Sequence, residues 1–336
     1  MVESFLGLQL KEQAEILQTM SAKLSRTPAV LEKDVWVCWA LKHLFEMPGH
    51  QQMAFKGGTS LSKVYNAIDR FSEDIDITLD YRGFADTADP FMEGISKTQQ
   101  KRISDELIRL VGIQVTGPIA THLSMKLKAE FPQEGYSVVA GEDMETLRIH
   151  YVSAVEDRDD YVLASILLEF GGRNITEPNE THLVQPEIAA YLEETGLEFP
   201  QGSVDVLSAQ RTFWEKATLI HTECQRFKED PARLSRHWYD LYQLADSEIG
   251  NIAVADRALL ADVVKHKKVF YNSSFANYDA CLESNFMLVP EGKIQDALKI
   301  DYQKMKDAGM FWGGAPDFEK IIGRLADLQS QLNSPQ

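Results

Sequence analysis

The apolar residues near the start of the chain recur at helical spacing. Leu6, Leu10, Ala14, Leu17 and Met20 lie three or four positions apart and predict a helix over residues 4–26. Thr27-Pro28 breaks the pattern. Val30, Val35, Val37, Leu41 and Leu44, with Trp36 and Trp39, then predict a second helix over 29–46. Glu32, Lys33 and Asp34 fall within that apolar surround. They read either as a solvated helix start or, for Lys33 and Asp34, as a brace behind a site. A short strand over 52–56 feeds Gly57-Gly58, and a helix over 59–68 follows. Residues 74–80 alternate cleanly, with Ile75, Ile77 and Leu79 on one face and Asp74, Asp76 and Thr78 on the other.

After a polar loop over 81–92, Ile103, Leu107, Leu110 and Val111 mark a helix over 96–111. Short β-rich runs are predicted at 112–115, 136–140, 147–152 and 161–170, the last ended sharply by Gly171-Gly172-Arg173-Asn174. Residues 183–192 are mixed, with a helix after Pro186. From Val204 onward the character is helical, which puts a domain boundary at Gly202-Ser203. The expected architecture is α/β (α+β): N-terminal helices and a mixed-sheet core over 1–202, then a helical domain over 203–336.

Charge narrows the function classes. Against 34 basic residues stand 51 acidic ones, a net charge of −17. A broad, sequence-indifferent nucleic-acid surface needs a basic field, so that class is disfavoured; a local basic groove admitting one strand or one RNA end is not. Cys38, Cys224 and Cys281 are far apart, odd in number and without a CxxC pair, which speaks against a disulfide framework or structural zinc. The N-terminus carries acid where a signal peptide carries base, and no apolar run is long enough to span a bilayer. The expected location is the cytoplasm, away from membranes.

The candidate chemistry lies between Phe55 and Ile77. Glycine lets backbone approach a ligand closely, and a helix opening after it aims unpaired N–H groups at that spot. Gly57, Gly58, Thr59 and Ser60, with Lys56 or Lys63 as counter-charge, therefore suit phosphate, although the same residues also make an ordinary strand-to-helix turn. Neither a Walker A ending nor a GxGxxG is present. Asp74 and Asp76, two apart on a strand, have their roots about 6–7 Å apart on one face and can converge on a hard divalent cation. Glu73 adds to the crowding of acids, which costs energy without a cation. A third carboxylate is expected on a neighbouring strand; Glu169, closing the apolar run Ile166-Leu167-Leu168, is the candidate. In the helical part, Arg211 and Glu215 sit one turn apart as an ordinary ion pair. Lys216 shares an apolar face with Phe213 and Ile220 and needs an anionic partner, for which a triphosphate is suitable. Asp240 either pairs with Arg236 or orients Lys216 or a substrate hydroxyl.

These residues resemble the AbiEii/AbiGii-type toxin family of nucleotidyltransferases. The resemblance rests on Lys56-Gly57-Gly58-Thr59-Ser60-Leu61-Ser62-Lys63 with Arg70-Phe71-Ser72-Glu73-Asp74-Ile75-Asp76. Glu32-Lys33-Asp34-Val35-Trp36-Val37, Arg211-Thr212-Phe213-Trp214-Glu215-Lys216 and Arg236-His237-Trp238-Tyr239-Asp240-Leu241-Tyr242 also match, in the family's order. It implies a polymerase β-like nucleotidyltransferase fold. It also implies nucleotide-phosphate contacts at Gly57, Gly58, Thr59, Ser60 and Lys63, metal-binding acids at Asp74 and Asp76, a motif lysine at Lys216 and a motif aspartate at Asp240. Family members are toxins of type IV toxin–antitoxin or phage-abortive systems, and some add nucleotides to the 3′ end of tRNA. The expected activity is transfer of a nucleoside monophosphate from an NTP to a hydroxyl, on RNA such as tRNA. Mg²⁺, or Mn²⁺ in its place, is the expected cofactor, and an antitoxin the expected partner. Two rivals remain: a metal-dependent phosphohydrolase using the same acids on water, and a nucleotide-binding protein without catalysis.

Overall fold

The computed structural model describes residues 3–72, 74–84, 88–155, 164–226, 231–273 and 275–334. Glu73 and the predicted strand start at 161–163 lie outside them. The chain forms two compact units, one of Met1–Val64, Phe71–Thr87 and Asp105–Val206, the other of Tyr65–Arg70, Ala88–Ser104 and Leu207–Gln336.

The first unit is built on a seven-stranded mixed sheet. Its strands are β1 (Met53–Lys56), β2 (Asp74–Asp80), β3 (Ser137–Ala140), β4 (Thr146–His150), β5 (Ser165–Asn174), β6 (Asn179–Val184) and β7 (Gly202–Leu207), in the order β3-β4-β5-β2-β1-β7-β6. β2 runs antiparallel to β1 and parallel to β5. Ile75, Ile77, Leu79, Ile166 and Leu168 are all buried, which supplies the apolar drive that fixes the register. Helices α1 (Leu10–Leu24) and α2 (Pro28–Phe45) precede the sheet, and α3 (Gly57–Lys63) follows β1 directly. Thr27 caps α2, its hydroxyl accepting from the Val30 N–H at 3.3 Å, and Pro28 occupies the first turn, where no N–H is needed. α2 is apolar nearly all round and correspondingly buried; Trp36 stacks on Tyr151 at 4.7 Å between ring centres.

Several expectations are corrected. Glu32 and Lys33 are not solvated: both are buried, and the Glu32 carboxylate accepts from Ala154 N–H at 2.6 Å and Ser153 Oγ at 2.7 Å. The predicted strand over 112–115 is helix. α4 (Lys97–Gln114) passes through a π turn, Val115–Ile119, into α5 (Ala120–Glu130). Leu107, Val111, Val115, Ile119, Leu123 and Leu127, four apart throughout, form one buried stripe whose period overrides the β-branched composition around Val115. The π turn accommodates Pro118 inside the helical run. Nor do the glycines after Phe170 end the strand. β5 continues to Asn174, and a Cβ on Gly172 would fall 2.3 Å from Val111 Cγ2, so that glycine serves close packing against the sheet.

The second unit is helical. α6 (Ala209–Glu223), α7 (Arg236–Ala245), α8 (Glu248–Ala255), α9 (Arg257–Phe270), α10 (Asp279–Leu282), α11 (Lys293–Asp307) and α12 (Phe318–Asn333) make up most of it. Its core holds Trp214 and Trp238, whose indole N–H groups donate to Ala253 O and Leu288 O, each at 3.0 Å. Buried tryptophans so paired leave no unsatisfied donor.

Candidate active site

On the sheet, Asp74 and Asp76 share a face of β2, as the alternation predicts. The cross-strand register places Lys56 of β1 beside Asp76 on one side and Glu169 of β5 on the other. Directly paired residues point to the same side of a sheet, so Lys56, Asp76 and Glu169 form a row across three strands, with Asp74 one step away. Asp76 and Glu169 are half-buried while the opposite face is sealed, so this is the open side of the sheet at that level. Hard oxygen donors gathered on one face suit a divalent cation. Among the described residues no group of three or more such side chains is close enough to hold an ion by itself.

The glycine turn lies against the same row. α3 starts at Gly57, two residues earlier than predicted, so both glycines belong to its first turn. Gly57 has φ +81°, and a Cβ there would fall 2.0 Å from Asp76 Oδ2. Both the dihedral and the space demand glycine. The backbone at the helix start thus lies in contact with a strand carboxylate. Hydroxyls hold the turn in place. Thr59 Oγ1 donates to Asp74 O at 2.5 Å and lies 3.0 Å from Ser72 Oγ; Ser60 Oγ donates to Gly57 O at 3.0 Å. Lys63 forms a half-buried ion pair with Asp34, whose other oxygen accepts from Glu187 N–H at 2.7 Å. Burial would lower the Lys63 ammonium, but Asp34 and the neighbouring Cys38 outweigh it and raise it above its ordinary value. Asp34 thus ties α2 to α3 through Lys63.

In the helical unit, Lys216 of α6 and Asp240 of α7 come together, Nζ to Oδ2 at 2.8 Å, both buried. Of the alternatives for Asp240, Lys216 is realised, together with a partner the sequence reading did not single out. Arg70 grips the same carboxylate, Nε to Oδ1 at 2.6 Å and a terminal nitrogen to Oδ2 at 2.8 Å. A signal existed, since Arg70 is a basic residue set between Ile68 and Phe71, both buried. Burial pushes the Asp240 carboxyl up, yet Arg70 and Lys216 overcome it and hold the group well below the usual carboxylate range. Lys216 is lowered, first by burial and then by Arg70, against the pull of Asp240. Arg70 and Lys216 both grip the Asp240 carboxylate, which holds the Lys216 Nζ at a fixed, buried position. His237 is adjacent: burial, Lys216 and Arg236 keep its imidazole neutral, and its Nδ1 is buried without a hydrogen-bond partner among the described residues.

The start of α7 is fixed by a carboxylate from α11. Asp301 accepts from Arg233 N–H at 2.7 Å and from Ser235 N–H and Oγ at 2.8 and 2.6 Å. That satisfies donors that a helix start leaves open and sets the helix that carries Asp240. Arg211 lies 3.6 Å from Glu215, the expected intrahelical pair, and also reaches Asp262 at 2.6 Å.

A mixed sheet with a glycine turn against strand-borne carboxylates is the arrangement of a nucleotidyltransferase. Residues 39–324 match the family model described as nucleotidyl transferase AbiEii toxin, type IV TA system, and the chain belongs to that family. Among solved structures it is similar to MenT4, a nucleotidyltransferase toxin from Mycobacterium tuberculosis H37Rv. The two are 17% identical with a TM-score of 0.51, over 98% of this chain and 91% of that one, a likeness of fold. Comparison with the curated proteins gave no match. Among the described residues no helix is long and apolar enough to cross a membrane.

Proposed function

We propose that this nucleotidyltransferase toxin moves a nucleoside monophosphate from an NTP to a hydroxyl of RNA, with tRNA ends as the first acceptors to try. The observation that carries the reading is the contact between Gly57 and Asp76, which puts helix-start backbone and a metal-type ligand at one spot. Asp74 and Asp76, with Glu169 in register beside Asp76, are the donors that would hold Mg²⁺ or Mn²⁺, and substrate phosphate would complete the shell. Such a cation, when bound, neutralises the triphosphate and lowers the pKa of the attacking hydroxyl.

The chain's own groups divide the remaining work. Gly57 and Gly58 let backbone N–H groups approach the β- and γ-phosphates. Thr59, Ser60 and Lys63, assigned direct phosphate contacts by the family resemblance, act here by holding that turn, because their polar atoms are engaged with Asp74, Gly57 and Asp34. Lys216, the motif lysine of the family resemblance, is the cation assigned to phosphate charge, and within its own unit it is paired with Asp240. Asp240, tied to Arg70, fixes where the Lys216 ammonium lies.

Incubation with each α-labelled NTP, Mg²⁺ and total RNA tests this. Label is expected on RNA of discrete size and lost with Asp76→Ala. Label released as free nucleoside monophosphate or diphosphate, with none on RNA, would instead support hydrolysis and sink the proposal.

A further inference from the structure

The geometry points to a second anion site, a cleft in the helical unit that takes backbone phosphates of the RNA acceptor. It encloses about 570 Å³ between the first turn of α4, the last turns of α9 and the segment after them. Three lysines line it, Lys97, Lys265 and Lys268, against a single carboxylate, Asp279. Asp279 is matched by Lys268 at 2.5 Å. Lys265 lies over the Phe91 ring at 4.5 Å, and among the described residues neither it nor Lys97 forms a salt bridge. So the cleft holds two ammonium groups in excess, on a chain whose net charge is −17.

Two features set this lysine group apart from scattered surface charge. Lys97 opens α4, a helix with no acid in its first turn, where the helix dipole favours an anion and disfavours a lysine. A phosphate in the cleft would satisfy both. The rest of the lining includes Gln100, Asn272, Ser273 and Asn277, neutral groups that can donate to phosphate or ribose without adding charge. A chain of net charge −17 repels a polyanion in general, so a local group of unmatched lysines is where one is held.

The ligand is a phosphodiester rather than a second NTP. The one lining acid, Asp279, is already matched by Lys268, which leaves no carboxylate in the cleft to share a divalent cation with a triphosphate. The inference rests on the RNA-acceptor reading above, and it goes beyond that reading by naming where the acceptor is held.

The test is a fluorescence anisotropy titration of the full chain with a 5′-labelled single-stranded RNA and with labelled tRNA, at several salt concentrations between about 50 and 200 mM. In the Lys97→Ala/Lys265→Ala/Lys268→Ala variant, RNA affinity is expected to fall about tenfold or more. The log–log salt slope should flatten by about 0.7 for each phosphate that is no longer neutralised. NTP binding in the presence of Mg²⁺ stays unchanged, and the corresponding triple arginine variant retains RNA binding. Should the triple alanine variant unfold, as judged by its thermal melt, Lys97→Glu alone is titrated instead. Unchanged RNA affinity and slope, in a protein that still labels RNA, overturns the cleft and leaves the acceptor reading intact. Equal loss of NTP binding also overturns it, making the cleft a nucleotide site. A wild-type protein that neither binds nor labels RNA overturns both.

Discussion

Arg70 meets Asp240 through two parallel hydrogen bonds, and Lys216 shares one of the same two oxygens. The three residues are not interchangeable. Arg70→Ala leaves a fully buried carboxylate with one lysine at one oxygen, and is expected to cost about 3 kcal/mol, as removal of one partner from a buried pair does. Urea titration should show a lower midpoint with an unchanged slope. Arg70→Lys should recover only part of it, because the fork geometry is lost.

Lys216→Met removes one of the two cations that bond to Asp240 while roughly preserving volume. Asp240 keeps its bidentate partner, so stability should stay within about 1 kcal/mol of wild type. NTP-to-acceptor transfer should nonetheless fall about 10²-fold or more, as for loss of a charge-stabilising group. A variant that unfolds with Arg70→Ala-like severity would show that Lys216 is structural.

Acid lability follows from Asp240. Its carboxyl is held below the usual range in the folded state, so the unfolded chain binds the proton more readily. The stabilisation is complete above about pH 3.9, the ordinary aspartate value, and is lost as pH falls below it toward the folded value. Thermal melts taken from pH 5 downward should therefore steepen below about pH 4 in the wild type. Asp240→Asn should melt lower at neutral pH and lack that added slope.

Gly57→Ala puts a methyl 2.0 Å from Asp76 Oδ2, at a φ of +81°. Backbone strain of about 1–3 kcal/mol is expected. The displaced carboxylate should also weaken Mn²⁺ binding, read by electron paramagnetic resonance. Gly172→Ala is the control. It meets Val111 Cγ2 at 2.3 Å and should destabilise the sheet with Mn²⁺ affinity unaltered in the folded fraction.

Asp76→Asn should abolish transfer while leaving the denaturation midpoint near wild type, because Asp76 is half-buried on an open face. EDTA should reproduce that loss in the wild type and excess Mg²⁺ or Mn²⁺ reverse it. Transfer that persists in EDTA would remove the metal from the mechanism.

Much of this was legible in the sequence because local period and local chemistry agreed. The alternation over 74–80 set β2 to the residue, and it predicted which face carries the acids. Thr27-Pro28 marked the start of α2. The failures came where composition and period conflicted. The β-branched residues around Val115 suggested a strand, while the stripe from Leu107 to Leu127 kept strict helical spacing through the π turn. Glycine was misread where it served packing, since nothing near Gly172 in sequence announces Val111. Arg70 was missed for a related reason. Its partner lies 170 residues away, and periodicity carries no information about pairing over such a distance.

The strand order places β2 fourth of seven, with β5, β4 and β3 on one side and β1, β7 and β6 on the other. Fraying at either rim of the sheet must pass three strands before it reaches Asp74 or Asp76. Amide hydrogens of Ile75 and Ile77 should accordingly exchange only with whole-molecule opening, later than those of β3 or β6. Melting confined to the sheet's edges therefore spares the acids, and loss of Mn²⁺ binding should coincide with unfolding of the sheet unit rather than precede it.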